Sequence, residues 1–333
     1  MERAVVFNKV GYDPFIDFIK AYAIICVLLG HTFPYLDETG YSLWYGMQVP
    51  FFVLIQVFHT FKKDAVSLCF RKIAIRVLLP YVLVQTGIIV VLLLISKMNH
   101  SLLISQMLTG GGIGPGSYYP WIYLQFALLL PLIKPWFDKG SKIQKAIILI
   151  AICEGLEIAA ALIHLSDNLY RLLAVRYLFL IDLGWIWVND GIVLNIRVLL
   201  FSLFSIMAIV YFEYFYVNTE PWFYDTAWRT HRWPCYFYVA TLLSYFLYVL
   251  YRKIRMIRYF RLITTILARC SYEIFLMQMA VITLFPSMSF ISNPYICFFV
   301  RFTLIWVLSI AGGYCFNIIY NKIMCNLLKG NNG

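Results

Sequence analysis

A chain of 333 residues that is 62% hydrophobic, 13% charged and formally +11 is an integral membrane protein, not a soluble domain. The basic balance needs no nucleic acid, because positive cytoplasmic segments facing anionic headgroups account for it. Eight cysteines are scattered without a CxxC pair, so they read as buried small hydrophobes, and neither a disulfide framework nor a metal site is expected.

The start, Met1 to Phe15, has no h-region and no small-residue cleavage site, so the first apolar segment is expected to be an uncleaved span. Runs long enough to cross a bilayer lie near 14–33, 42–60, 74–96, 119–134, 146–164, 169–188, 197–213, 234–251, 270–289 and 295–321. Pro34 closes the first, Pro80 predicts a kink in the third, and Pro120 and Pro131 bound the fourth. Lysines and arginines collect on one side, densest at Arg252, Lys253, Arg255, Arg258, Arg261 and Arg269, while the first opposite loop holds Asp37 and Glu38 and no basic residue. The expectation is an all-α integral membrane protein with about ten transmembrane helices in one bundle and both termini cytoplasmic. Residues 1–333 form a single transmembrane domain in this reading. No internal repeat appears, and the largest outer loop, near 214–233, is too small for a separate domain.

The first span carries a polar stripe. Lys20 and His31 are eleven residues apart, about three helical turns, on one face and roughly 16 Å apart along the axis. Asp17 falls within about 40° of His31 on the same wheel. Ionisable groups at membrane depth mark a site or a pathway by default. A lone histidine is commonly a packed, hydrogen-bonded group; three aligned polar residues point instead to chemistry, with His31 placed to take a proton from a hydroxyl nucleophile.

Arg71, Lys72 and Arg76 follow the second span. Lys72 and Arg76 share a helical face, and cations at a cytoplasmic mouth suit either an anionic ligand or plain anchoring. In the fifth span Glu157 reaches roughly the depth of His31, as the acid of a dyad would. A salt bridge to Arg171 or Arg176 is the competing account, and Glu273 is expected to pair with Arg269 four residues away. The run Gly110-Gly-Gly-Ile-Gly-Pro-Gly116 lacks the Lys-Ser/Thr of a phosphate cradle and reads as a flexible or re-entrant loop. Asn99-His-Ser101 is a three-residue glycosylation pattern.

Five segments in order resemble the membrane-bound acyltransferase family 3, which includes O-acetyltransferases of bacterial surface polysaccharides. They are Asp17-Phe-Ile-Lys20 through His31, Met47-Gln-Val-Pro50-Phe51-Phe52, Lys72 with Arg76-Val-Leu-Leu-Pro80-Tyr81, Pro120-Trp121-Ile-Tyr-Leu124, and Ser271-Tyr272-Glu-Ile-Phe-Leu276. The resemblance covers most of the chain. It implies transfer of an acyl group, usually acetyl, from cytoplasmic acetyl-CoA to a glycan hydroxyl on the outer side. His31 would be the catalytic base, Glu157 its assistant, and Lys20, Arg71, Lys72 and Arg76 the contacts for CoA. The implied setting is a bacterial cytoplasmic membrane; the implied partners are acyl-CoA, a glycan acceptor and the lipid bilayer. Lys20 stands where the family has an arginine, Ile73 where it has another, Ile55-Gln56 where Ser-Gly commonly follows, and Gln278 where a histidine is frequent.

Two other readings stay open. A multi-span transporter of a lipid-linked glycan would line a path with the same polar residues, although no matching pair of broken helices marks two halves. A scaffold subunit would treat Lys20 and Ile73 as signs of lost catalysis.

Overall fold

The computed structural model describes residues 3–7, 12–33, 43, 48–63, 69–95, 100–211, 233–285 and 293–330. Pro34, Asp37, Glu38, Met47, the Asn99 acceptor and the loop near 214–233, except Trp233, lie outside these residues.

The first helix, α1 (Pro14–Thr32), begins where local chemistry predicts. Asp13 is its N-cap and accepts a hydrogen bond from the Phe15 N–H at 3.0 Å, and Pro14 takes the position that needs no donor. Helices α2 (Gln48–Phe61) and α3 (Phe70–Leu94) follow. Inside α3, residues Ala74–Leu78 form a π-turn just before Pro80. The proline ring cannot donate to the preceding turn, and the π-turn stands where a kink is expected. Then come α4 (His100–Gly110), α5 (Tyr119–Phe137), α6 (Lys142–Leu162), α7 (Phe179–Asn189) and α8 (Ile196–Val210). The chain ends in α9 (Trp233–Ile254), α10 (Arg258–Arg269), α11 (Ser271–Leu284) and α12 (Pro294–Gly330).

Among the described residues, four helical stretches are long and apolar enough to cross a membrane: Pro14–Thr32, Phe70–Leu94, Trp233–Ile254 and Tyr295–Leu327. A fifth arises if α10 and α11, bent by 71° at Cys270, count together. Other expected spans are helical but differ in kind. Helices α2 and α8 are shorter, α5 carries Pro131 and Pro135 inside it, and α6 holds Lys142, Lys145, Glu154 and Glu157. The segment expected as one span over 169–188 is broken into a turn at Asp167–Tyr170, a 3₁₀ turn at Ala174–Tyr177 and α7. Arg176 is buried in that break with its guanidinium over the rings of Tyr170 and Tyr177.

Helix α1 is the hub, packing against α2, α9, α10 and α11. Gly184 of α7 lets α2 approach closely, since a Cβ there would meet Val57 at 2.5 Å; small residues serve this purpose where lipid offers no hydrophobic drive. The N-terminal segment is tied in as well. Strand β1 (Arg3–Val5) pairs antiparallel with β2 (Ile192–Val193), the one departure from helix in sheet form among the described residues. Phe7 then inserts between Phe58 and Trp187, both rings 5.0 Å away.

Candidate functional site

The stripe on α1 has two different ends. At the N-terminal one, Lys20 pairs with Asp17 at 3.5 Å, and the Tyr12 hydroxyl donates to the other Asp17 oxygen at 2.7 Å. Partial burial first, then the hydrogen bond to Asp17 and its charge, push the Tyr12 phenol up to about 12. It therefore stays a donor throughout the working range. At the C-terminal end, the His31 side chain is exposed although most of the helix before it is buried. No hydrogen bond engages its ring among the described residues. Its neighbour Thr32 is held firmly, donating to the Leu28 carbonyl at 2.6 Å and accepting from Trp306 Nε1 at 3.2 Å. The helix end is fixed and the imidazole is open, which suits a base that must meet an incoming hydroxyl.

The basic residues expected to hold a donor are exposed at Arg71, Lys72 and Arg76. Arg76 lies on the π-turn, which packs on α5, and its charge acts on Tyr123. The Tyr123 carbonyl accepts from Gln56 Nε2 of α2 at 2.9 Å. Lys20, Lys62 and Lys63 all act on His59 near the end of α2. Lys134 donates to the carbonyls of Phe61 and Lys63. Thus α2 gathers cations at its C-terminal end, where the helix dipole favours them.

Glu157 is engaged by a tyrosine. It accepts from the Tyr170 hydroxyl at 2.9 Å, and Arg176 lies over the same tyrosine ring at 5.1 Å. Tyr236 feels both charges. Helix α6 packs on α7 and the Ala174–Tyr177 turn, and the described residues show no hydrogen bond or ion pair between Glu157 and His31. Glu273 faces Asn317 of α12 rather than an ion pair with Arg269. Lys145 and Asp182, both 2% exposed, form another buried polar group near Trp185, whose ring lies 4.2 Å from the Lys145 ammonium.

One feature escapes a reading by charge count. Arg255, Arg258, Arg261 and Arg269 line a cleft of about 750 Å³ against Tyr12 and Asp17 at the start of α1. Positive-inside anchoring explains why arginines are there and not why they converge. The spacing of three of them held the signal, since 258, 261 and 269 fall on one helical face.

The family model described as an acyltransferase domain, that of acyltransferase family 3, matches residues 13–320, nearly the whole chain. No curated protein and no solved structure matches.

Proposed function

The chain belongs to the membrane-bound acyltransferase family 3, and from that premise we propose that it moves an acetyl group from cytoplasmic acetyl-CoA to a hydroxyl of a cell-surface or lipid-linked glycan. The proposed setting is a bacterial cytoplasmic membrane crossed about ten times, with both termini inside, as the lysine and arginine distribution favours. His31 takes the proton of the acceptor hydroxyl as its oxygen attacks the thioester carbonyl. The carbon–sulfur bond then breaks, and the departing thiolate recovers a proton as CoA-SH. Lys20, Arg71, Lys72 and Arg76 make the inner mouth cationic and draw the anionic donor towards it.

The observation that carries the reading is the single helix joining both ends of the reaction. Lys20 stands near the inner end of α1, and the open imidazole of His31 stands eleven residues further along, roughly 16 Å away. Transfer of radiolabel from acetyl-CoA into envelope glycan tests it, in membranes carrying wild-type protein or His31→Ala. Label with the wild type alone supports the proposal. Label from both removes His31 from the mechanism, and none from either favours a transporter. Glu157→Gln belongs in the same series. A direct partnership with His31 requires a loss like that of His31→Ala and a displaced pH–rate profile. A role confined to the Tyr170–Arg176 cluster lowers stability and leaves the profile where it was.

A further inference from the structure

We infer that the arginine-lined cleft between the start of α1 and helices α9 and α10 seats the phosphate-bearing nucleotide end of the acyl donor. The inference rests on the acyl-CoA reading above and assigns that end of the donor to residues outside the Lys72–Arg76 segment.

Four observations converge. The cleft's volume, about 750 Å³, lies within the range of small-molecule sites. Arg255, Arg258, Arg261 and Arg269 are all exposed on it, and no ion pair joins any of them to a carboxylate among the described residues. Guanidinium forks match phosphate oxygens two at a time. A 3′-phosphate carries roughly −1.5 to −2 at neutral pH, and a diphosphate adds to it, so four cations meet a ligand of comparable opposite charge. The one carboxylate in the lining, Asp17, is already held by Lys20 and Tyr12, so it repels an anion less than a free carboxylate would. Finally, the lining includes the aromatic side chains of Tyr251, Tyr259 and Phe260, the residue type on which a base stacks; Tyr251 and Phe260 are themselves backed by Phe15 and Phe18.

The cleft is also placed for the rest of the donor. Asp17 is on its wall, and α1 leads from there past Lys20 to His31. A pantetheine arm has two amide units and the reach of roughly four to five extended residues, about 15 Å. That is close to the roughly 16 Å rise between Lys20 and His31. A lipid headgroup offers similar phosphate chemistry. Against it, the side chains of α10 and its approach that do not line the cleft, Met256 at 83% and Ile263 at 55% exposure, are apolar. Exposed apolar side chains of this kind suit lipid contact, which leaves the arginines to the cleft.

The test uses the full chain in nanodiscs of phosphatidylcholine alone, with CoA and adenosine 3′,5′-bisphosphate as probes. Loss of two charge-assisted contacts in Arg258→Ala/Arg261→Ala should weaken both probes about tenfold or more and raise the KM for acetyl-CoA equally, with kcat retained. Arg258→Lys/Arg261→Lys should fall between, and equal melting temperatures rule out misfolding as the cause. Unchanged probe affinity in the alanine pair overturns the inference. If, in parallel nanodiscs containing phosphatidylglycerol, those variants instead lose retention of the anionic lipid, the cleft is a headgroup site and the inference also falls. A KM shift confined to Lys72→Ala/Arg76→Ala leaves acyl-CoA chemistry standing and this assignment refuted. Wild-type protein that neither binds CoA nor consumes acetyl-CoA refutes both.

Discussion

Gln85→Leu is expected to destabilise the protein through a segment that reads as a loose loop in sequence. Residues 111–116 hold Gly111, Gly112, Gly114 and Gly116 at positive φ, and the backbone there joins no helix and no ladder. Its polar groups are satisfied by side chains from α3 and α5. Gln85, 4% exposed, accepts from the Ile113 N–H at 2.9 Å and donates to the Ile113 carbonyl at 3.0 Å. Tyr81 donates to the carbonyls of Gly111 and Ser117, and Trp121 to that of Gly111. Leucine keeps the volume and removes both partners of Ile113, itself 2% exposed. Each buried group left bare costs about 1–3 kcal/mol, and bilayer hydrocarbon supplies no replacement water. Apolar burial by the new side chain offsets part of that sum, leaving about 2–4 kcal/mol. Spread over a chain of this size, the loss lowers the melting point by about 3–6 °C. Tryptophan fluorescence melts in detergent measure it, with Gln85→Glu intermediate because the acceptor for Ile113 N–H survives. A shift within about 1 °C for Gln85→Leu would refute the claim that this segment is pinned through Gln85.

Two further perturbations and one control probe the packing around α11 and the C-terminal end of α1. Gly313→Ala places a Cβ 2.5 Å from Ile274 Cα and 2.6 Å from its nitrogen; backbone cannot rotate aside, so the variant should lose about 1–3 kcal/mol in the same melts. Gly155→Ala, where nothing lies within 4 Å of the added carbon, should be neutral or stabilising by up to about 1 kcal/mol through helix propensity, and an equal loss at both glycines would show that close approach is not the cause. Trp306→Phe removes the 3.2 Å donor to Thr32 beside His31. It should lower kcat by about three- to tenfold through misplacement of the helix end while leaving the KM for acetyl-CoA unchanged. Unchanged kcat would mean that Thr32 is held without it.

What was legible in sequence and what was not divide along a physical line. The start of α1 was readable because Asp13-Pro14 is a local signal, and the Lys20–His31 relation because helical rise is fixed. A disturbance of the helix near Pro80 was readable for the same reason, and it takes the form of a π-turn. Features that depend on which elements meet were not. The apolar run over 169–188 has the composition of a span, yet it breaks where Arg176 finds aromatic rings, a partnership hydropathy cannot encode. Gly110 to Gly116 reads as flexible because glycine is permissive; it is packed because Tyr81, Gln85 and Trp121 converge on it. Glu273 had an arginine at the helical spacing for a pair, but the close packing of α11 on α12 sets it against Asn317 instead.

The arginine run shows the same division in the site itself. Its charge was plain from the sequence, and the 71° bend after Arg269 was not. That bend lays α10 across the start of α1 and turns a topogenic charge cluster into the wall of a cleft. It also bears on the lysine that replaces an arginine in the first motif. Lys20 is committed to Asp17 at 3.5 Å, and an ammonium is a point charge without the fork that grips phosphate. Four arginines stand on the cleft that shares Asp17 with it. Under the proposed acyl-CoA chemistry, the weakened motif on α1 and the arginine stripe on α10 are two parts of one arrangement, in which Lys20 holds the carboxylate so that the arginines are left to the phosphates.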